Sequence, residues 1–372
     1  MRCFKILLIS LFLFVLTVSA QVSPKNTKVE DDGEILKVET QLVDVPIVVT
    51  NQDGKPILNL KSENFDIFED GKKQELSAFT TTNAPFEVAL LLDTSGSTRS
   101  ELRLIKRSAA MFINSLRPGD KVSIISFNTE VENGASYAFS EVLIGLTNDR
   151  QKLEAALENV KTSNGTPFYD GLLQVVENVF KDKPTEKSRG RRALVALTDG
   201  VDSTSDAGFD EAQELLNKSG ITTYFININT RDEFEQNILG DCQTATHFSS
   251  SQIRRYYSSI SNNSKLEKVY DFCKIGDFER LAMSKLFYQI AENEMEILAK
   301  TSGGKVFPAG SLRDARTIFK NIAEEIGTKY SLGYYSTNDK RDGKYRRIKV
   351  ESKNLPKGTQ IRAREGYIAP QN

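Results

Sequence analysis

The chain has 372 residues, of which 39% are hydrophobic and 27% are charged, a composition typical of a folded protein rather than a disordered or fibrous one. Its 49 basic and 50 acidic residues give a formal net charge of -1, which does not favour a nucleic-acid-binding protein. This length favours two or three domains and leaves room for a large buried core.

The N-terminus has the pattern of a secretory signal peptide. Arg2 and Lys5 precede an apolar run over residues 6–18, and small residues then lead to Gln21. We expect cleavage after Ala20. The alternative is an uncleaved membrane anchor, although the run is shorter than the roughly 18 to 20 residues that span a bilayer. The mature protein is then periplasmic, held in the cell envelope or extracellular, and no later segment predicts a transmembrane helix.

The flanks of the chain predict β-structure. After a flexible lead over residues 21–33, residues 34–84 alternate apolar and polar side chains and contain the turns Asp53-Gly54 and Asp70-Gly71. Residues 329–369 have the same character. Because three or four strands cannot bury two faces alone, we predict that both flanks assemble into one β-sandwich. Two separate small β units are the alternative.

The middle of the chain, residues 85–328, alternates strand and helix signals. This order predicts an α/β fold with a mostly parallel sheet and helices on both faces. The apolar runs at 86–92 and 193–198 are typical of strands that are buried on both sides.

Residues 231–284 interrupt this alternation, and we interpret them as an insertion. The segment is polar and holds the two cysteines of the mature chain, Cys242 and Cys273. Export favours a local disulfide between them, and two unpaired thiols are the alternative. The tyrosines of the segment form either a contact surface or the packing of a small subdomain; they are Tyr256, Tyr257 and Tyr270.

Oxygen-bearing side chains follow both buried strands. Asp93, Ser95 and Ser97 form an Asp-x-Ser-x-Ser motif at the carboxyl end of the first strand, where ligands bind in open α/β sheets. Thr166 lies in a Gly-Thr-Pro loop, and Asp199 lies in a Thr-Asp-Gly turn after the second strand. Hard divalent cations prefer oxygen ligands of this kind. We predict that these five residues bind a divalent cation, Mg²⁺ in the first place, with Mn²⁺ or Ca²⁺ as alternatives.

The order of these three motifs resembles the metal-ion-dependent adhesion site of von Willebrand factor A domains. In that family the two serines and the threonine contact the metal, the aspartates act directly or through water, and a partner often adds a carboxylate. The resemblance covers residues 85–328 and implies a Rossmann-like fold and a non-enzymatic adhesion module that binds a protein. The flanks resemble secreted bacterial proteins of the acidobacterial type, in which a segment like Leu332-Gly333-Tyr334-Tyr335 follows the domain. The insertion departs from the compact family pattern.

Other functions receive less support from the sequence. The protein could be a structural component of the cell envelope whose metal site only stabilises the fold, or Asp93 and Ser95 could merely cap the following helix. A phosphatase with Asp93 as nucleophile would need a second aspartate where Ser95 stands. Hydrolase chemistry would rest on His247 alone, without a Gly-x-Ser-x-Gly motif. No glycine motif for a phosphate or a dinucleotide is present, so we expect no nucleotide and no enzymatic activity.

Overall fold

The structure is a computed structural model that describes residues 42–81, 84–186, 188–260 and 271–371. The predicted signal peptide and flexible lead lie outside these residues, as does Tyr270. None of the helices in the described ranges is long and apolar enough to cross a membrane.

The described chain has strands at both ends and alternating strands and helices between them. Its strands are β1 (Leu42–Thr50), β2 (Phe65–Glu69), β3 (Lys72–Gln74), β4 (Leu76–Thr80), β5 (Glu87–Leu92), β6 (Lys121–Glu132), β7 (Ala135–Thr147), β8 (Arg192–Thr198), β9 (Thr222–Ile228), β10 (Lys305–Ala309), β11 (Tyr330–Tyr335), β12 (Tyr345–Ser352), β13 (Gln360–Ala363) and β14 (Gly366–Ile368). Its helices are α1 (Leu102–Ser115), α2 (Arg150–Glu158), α3 (Phe168–Gln174), α4 (Phe209–Ser219), α5 (Arg231–Asn237), α6 (Ser250–Ile260), α7 (Asp277–Ser302) and α8 (Leu312–Gly327). A π-helical turn, Val175–Val179, continues α3.

The central sheet has the strand order β10-β9-β8-β5-β6-β7. Every neighbouring pair is parallel except β6 and β7, which form an antiparallel hairpin. Side chains of β5 alternate between two cores: Val88, Leu90 and Leu92 face α1, α2 and α8, whereas Ala89 and Leu91 face α3, α4 and α7. Both faces of the sheet are therefore covered by helices, which confirms the predicted fold class.

The two chain ends form two antiparallel sheets together. Their strand orders are β13-β1-β11-β4 and β14-β12-β2-β3. Val45 of β1 pairs with Leu332 of β11, and Ile67 of β2 pairs with Val350 of β12, so each sheet contains strands from both flanks. These side chains contribute to one shared apolar cluster. The flanks thus form a single sandwich, as predicted, and not two separate units.

Buried arginines connect the sandwich to the central domain. Nη1 of Arg191, just before β8, donates to the carbonyl of Lys329 at 2.9 Å. Arg364 donates from Nη2 to the carbonyl of Asn217 in α4 at 2.9 Å. Because an arginine carries several donors, one side chain can satisfy backbone carbonyls at such a boundary.

The predicted insertion contains α5, α6 and the first turns of α7, with a core of its own. A disulfide joins Cys242 and Cys273. Tyr256 and Tyr257 pack against this core. The buried apolar side chains that form it are Ile238, Phe248, Ile253, Phe272, Ile275, Met283 and Phe287.

Candidate functional site

The parallel pairing of β5 and β8 brings the two predicted aspartates to the same edge of the sheet. Leu92 lies opposite Leu197 in the register, so Asp93 and Asp199 follow the ends of adjacent strands. The amide of Asp93 donates to the carbonyl of Leu197 at 2.9 Å, which extends the pairing to the site itself.

Asp93 has no exposed surface. Its Oδ1 accepts a hydrogen bond from the amide of Ser95 at 3.0 Å, and its Oδ2 accepts one from the hydroxyl of Thr198 at 2.7 Å. Burial raises the pKa of the Asp93 carboxyl, and the negative charge of Asp199 raises it further, whereas the hydrogen bonds lower it. Two carboxylates thus share a buried location in which their charges repel each other.

Asp199 is also buried, and hydrogen bonds to both of its carboxylate oxygens orient it. Its Oδ1 accepts from the amide of Val201 at 3.0 Å. Its Oδ2 accepts from the hydroxyl of Thr230 at 2.5 Å, and that hydroxyl also lies 2.8 Å from the hydroxyl of Tyr288. The carboxylate is therefore held from both sides, by its own loop and by Thr230, the N-cap residue of α5.

Thr166 lies in a loop that is bonded to the loop after Asp199. The amide of Thr166 donates to the hydroxyl of Ser203 at 2.9 Å, and the amide of Ser203 donates to the carbonyl of Thr166 at 3.0 Å. The carboxylate of Asp202 accepts from the amide of Phe168 at 3.0 Å, at the start of α3. These hydrogen bonds join the two loops.

The loop between β5 and α1 presents Ser95. The Ser95 residue is only 2% exposed, and the hydroxyl of Thr98 donates to the carbonyls of Asp93 and Ser95, each at 3.1 Å. The side chain of Ser97 lies outside the described residues. A 3-10 helix, Gly96–Glu101, follows Ser95 directly and leads into α1, whose N-cap is Glu101.

Ser95, Thr166 and Asp199 line one cleft of about 510 Å³, and Asp93 is bonded to the amide of Ser95 behind it. The structure therefore brings together four of the five predicted residues. In the described part of the chain, no three or more His, Cys, Asp and Glu side chains cluster as metal ligands. The donors are instead two carboxylates and hydroxyls, an oxygen set that fits Mg²⁺.

Sequence patterns identify the predicted metal-binding residues but not the residues that orient them through hydrogen bonds. Thr198 directly precedes Asp199, and its role could be suspected from the Thr-Asp-Gly motif. Ser203, Thr230 and Tyr288 carry no comparable signal, because each reaches the site from a different loop or helix. The cleft is also lined by residues of the insertion.

Gly165 is required by the close approach of its neighbours. A Cβ at this position would lie 2.6 Å from Cγ2 of Thr204 and 3.0 Å from Cβ of Ala138. We expect Gly165→Ala to displace Thr166 and to lower the free energy of unfolding by about 1 to 3 kcal/mol, measured by denaturant titration. The control is Gly96→Ala, since a Cβ there meets no atom within 4 Å. Equal stability of the two variants would contradict this assignment.

Residues 87–268 match the family model described as the von Willebrand factor type A domain. Among solved structures, the chain is similar to von Willebrand factor type A from Catenulispora acidiphila, with 12% identity over 90% of this chain and 75% of that chain and a TM-score of 0.42. It is also similar to proximal thread matrix protein 1 from the mussel byssus, with 13% identity, 70% and 51% coverage and a TM-score of 0.42.

A third similar structure is the pilus adhesin SpaC from Lactobacillus rhamnosus GG, with 10% identity, 88% and 48% coverage and a TM-score of 0.40. The chain spans about half the length of the mussel and Lactobacillus proteins. No curated protein matches it.

Proposed function

The chain contains a von Willebrand factor type A domain, and we propose that this domain makes it an exported adhesion module that binds a carboxylate of a partner protein through Mg²⁺. Asp93, Ser95, Ser97, Thr166 and Asp199 would hold the cation in the cleft. When bound, Mg²⁺ supplies a Lewis-acidic position that a carboxylate from outside can complete.

The buried pair of carboxylates carries this proposal. Asp93 and Asp199 raise the energy of each other's charged form, and this repulsion adds to the effect of burial on Asp93. A divalent cation between them would offset the repulsion. Because the remaining donors, Ser95 and Thr166, are uncharged, the negative charge of the two carboxylates does not exceed the positive charge of the ion. The site can therefore still bind an acidic ligand.

The same geometry disfavours a phosphatase. A nucleophilic aspartate must present a free oxygen to phosphorus. Asp93 is completely buried, and each of its oxygens accepts a hydrogen bond, from the amide of Ser95 and the hydroxyl of Thr198. These contacts orient the carboxylate as a ligand or as an acceptor for bound water.

Substitution of Thr166 tests the metal site. We expect Thr166→Val to weaken Mg²⁺ binding about tenfold or more in isothermal titration, because the variant lacks a ligand oxygen. The control is Thr204→Val in the neighbouring loop, since the hydroxyl of Thr204 is buried and none of the described residues forms a hydrogen bond with it. If Thr166→Val binds Mg²⁺ as tightly as the wild type, the proposed coordination is wrong.

Partner capture tests the adhesion role separately. The immobilised mature chain is incubated with native envelope extract, once with Mg²⁺ and once with chelator. We expect a retained protein that is lost in chelator and lost with Thr166→Val. Capture that survives chelation would instead support a structural envelope protein whose metal site only stabilises the fold.

A further inference from the structure

The insertion forms one wall of the candidate metal cleft. Besides the site residues, this cleft is lined by side chains of α5, of the loop that precedes α6, and of α7; they include Glu233, Phe234, Asn237, Thr246, His247 and Tyr288. We propose that this wall is a second subsite in which Glu233 binds a cationic side chain of the partner, next to the carboxylate held by the metal. This inference rests on the proposed function and names the class of ligand: a peptide segment with an acidic and a basic residue close together.

Helix α5 has a fixed position relative to the metal site. Its N-cap residue, Thr230, donates directly to Asp199 and contacts Tyr288. The ring of Phe234 packs against Tyr288 at 6.1 Å and against Phe248 at 5.5 Å between ring centroids. A carboxylate on this helix is therefore presented at a defined place beside the site, as a recognition subsite requires.

The rest of the wall is attached to the same loops. The amide of Gln252 in α6 donates from Nε2 to the carbonyl of Asp202 at 3.0 Å, and the hydroxyl of Ser251 donates to the carbonyl of Ser203 at 3.0 Å. Arg255 forms an ion pair with Glu294 of α7 at 2.8 Å. The insertion is thus anchored to the loop that follows Asp199, and the cleft between them is preformed.

The charges of the cleft define the ligand. Among the residues that line it are two acidic side chains, Asp199 and Glu233, and no lysine or arginine. Glu233 is exposed, and no described residue forms an ion pair with it, whereas Glu235 of the same helix is paired with Arg231 at 2.7 Å. With Mg²⁺ bound, one end of the cleft offers a coordination position for a carboxylate, and the α5 side carries the negative charge of Glu233. A dipolar segment matches both ends, and a second acidic side chain at the α5 side is repelled.

Uncharged groups on the same wall suit a peptide backbone. Asn237 and Thr246 are exposed in the cleft and offer amide and hydroxyl groups that donate and accept. Phe234 and Tyr288 supply apolar surface beside them. Lining of this mixed kind, with a few placed polar groups, is typical of a ligand cleft.

A peptide array tests the subsite. Each capped peptide has one glutamate at a fixed position. A second position, between three residues before the glutamate and three residues after it, holds either lysine or norleucine. Binding of the full mature chain is measured in Mg²⁺ and in chelator. We expect the best lysine peptides to bind about two- to fivefold more tightly than their norleucine partners, a preference that Glu233→Gln abolishes and Glu233→Lys reverses.

The matched control is Glu235→Gln, which removes the same charge two residues further along the helix. Glu235 is paired with Arg231 and does not line the cleft. It should keep the lysine preference. If Mg²⁺-dependent binding occurs without that preference, or if the preference persists in Glu233→Gln, the subsite is wrong while the metal site stands. If no peptide binds in a Mg²⁺-dependent manner, the proposed function fails and the subsite fails with it.

Discussion

Lowering the pH from about 8 to about 5.5 should weaken Mg²⁺ binding, by about tenfold for each pH unit below the folded pKa of Asp93. Burial and the charge of Asp199 raise the pKa of this carboxyl above its usual value of 3.8. The metal must then displace a proton that the folded, metal-free protein holds at mildly acidic pH. Isothermal titration at several pH values measures this loss of affinity.

The same shift predicts opposite pH trends of stability with and without metal. In chelator, the raised pKa means that the folded protein holds the Asp93 proton more tightly than the unfolded chain does. This contribution to stability is complete below the unfolded pKa and is lost as the pH rises through the folded pKa. Stabilisation by Mg²⁺ follows the reverse course, because only the deprotonated carboxyl binds it.

The difference between the melting temperatures in Mg²⁺ and in chelator isolates this effect from other titrating groups. Asp44, whose pKa burial raises to about 6, lies in β1 of the sandwich and acts equally in both conditions. We expect the difference to shrink steadily as the pH falls. A difference that is independent of pH would show that Asp93 does not bind the metal.

Much of this architecture could be predicted from local patterns. The runs over β5 and β8 are continuously apolar because both faces of the sheet are covered, and that pattern predicts the strands at whose ends Asp93 and Asp199 lie. The alternation in the flanks likewise predicts the sandwich. In each case the burial of one segment is recorded in its own sequence, as a continuous apolar run in β5 and β8 and as alternation in the flanks.

Other elements could not be predicted, for a physical reason. The sequence gives no strand signal over β7, because this edge strand is exposed or half-buried along its whole length and lacks a clean two-residue period. The boundary of the insertion is equally hidden within α7. Met283 and Phe287 of this helix pack in the core of the insertion, whereas Met295 and Leu298 pack under the central sheet, so one continuous helix serves both units.

The hydrogen bond between Thr230 and Asp199 is a further feature that sequence patterns do not predict. It joins residues that are 31 positions apart and depends on where α5 begins relative to β8. No spacing rule predicts such a hydrogen bond, since it arises only when two loops at the carboxyl edge of the sheet converge. The sequence therefore predicts only an insertion into the domain, whereas in the structure Thr230, next to this insertion, helps to orient the predicted metal ligand Asp199.

Removing the disulfide between Cys242 and Cys273 should destabilise the insertion by roughly 3 to 4 kcal/mol, because the bridge closes a loop with a sequence separation of 31 residues. The insertion has a small core, in which Phe248 and Phe272 are central, and such cores depend on a crosslink. We expect the double variant Cys242→Ala, Cys273→Ala to lose hydrogen-exchange protection at Ile253 and Phe287, while amides of β5 stay protected.

The double variant should affect Mg²⁺ binding and peptide recognition differently, because the two depend on different walls of the cleft. Asp93 and Ser95 follow β5 and Thr166 precedes α3, all in the central domain, so the double variant should retain most of its Mg²⁺ affinity. Glu233, in contrast, keeps its place only while the insertion is folded, so the lysine preference of the peptide array should disappear with the disulfide. Reduction of the wild type by dithiothreitol should reproduce both results, and the alanine variant should not respond to it. A double variant that keeps its exchange protection and its lysine preference would show that the insertion is held by its apolar core and by its bonds to the loop after Asp199 alone.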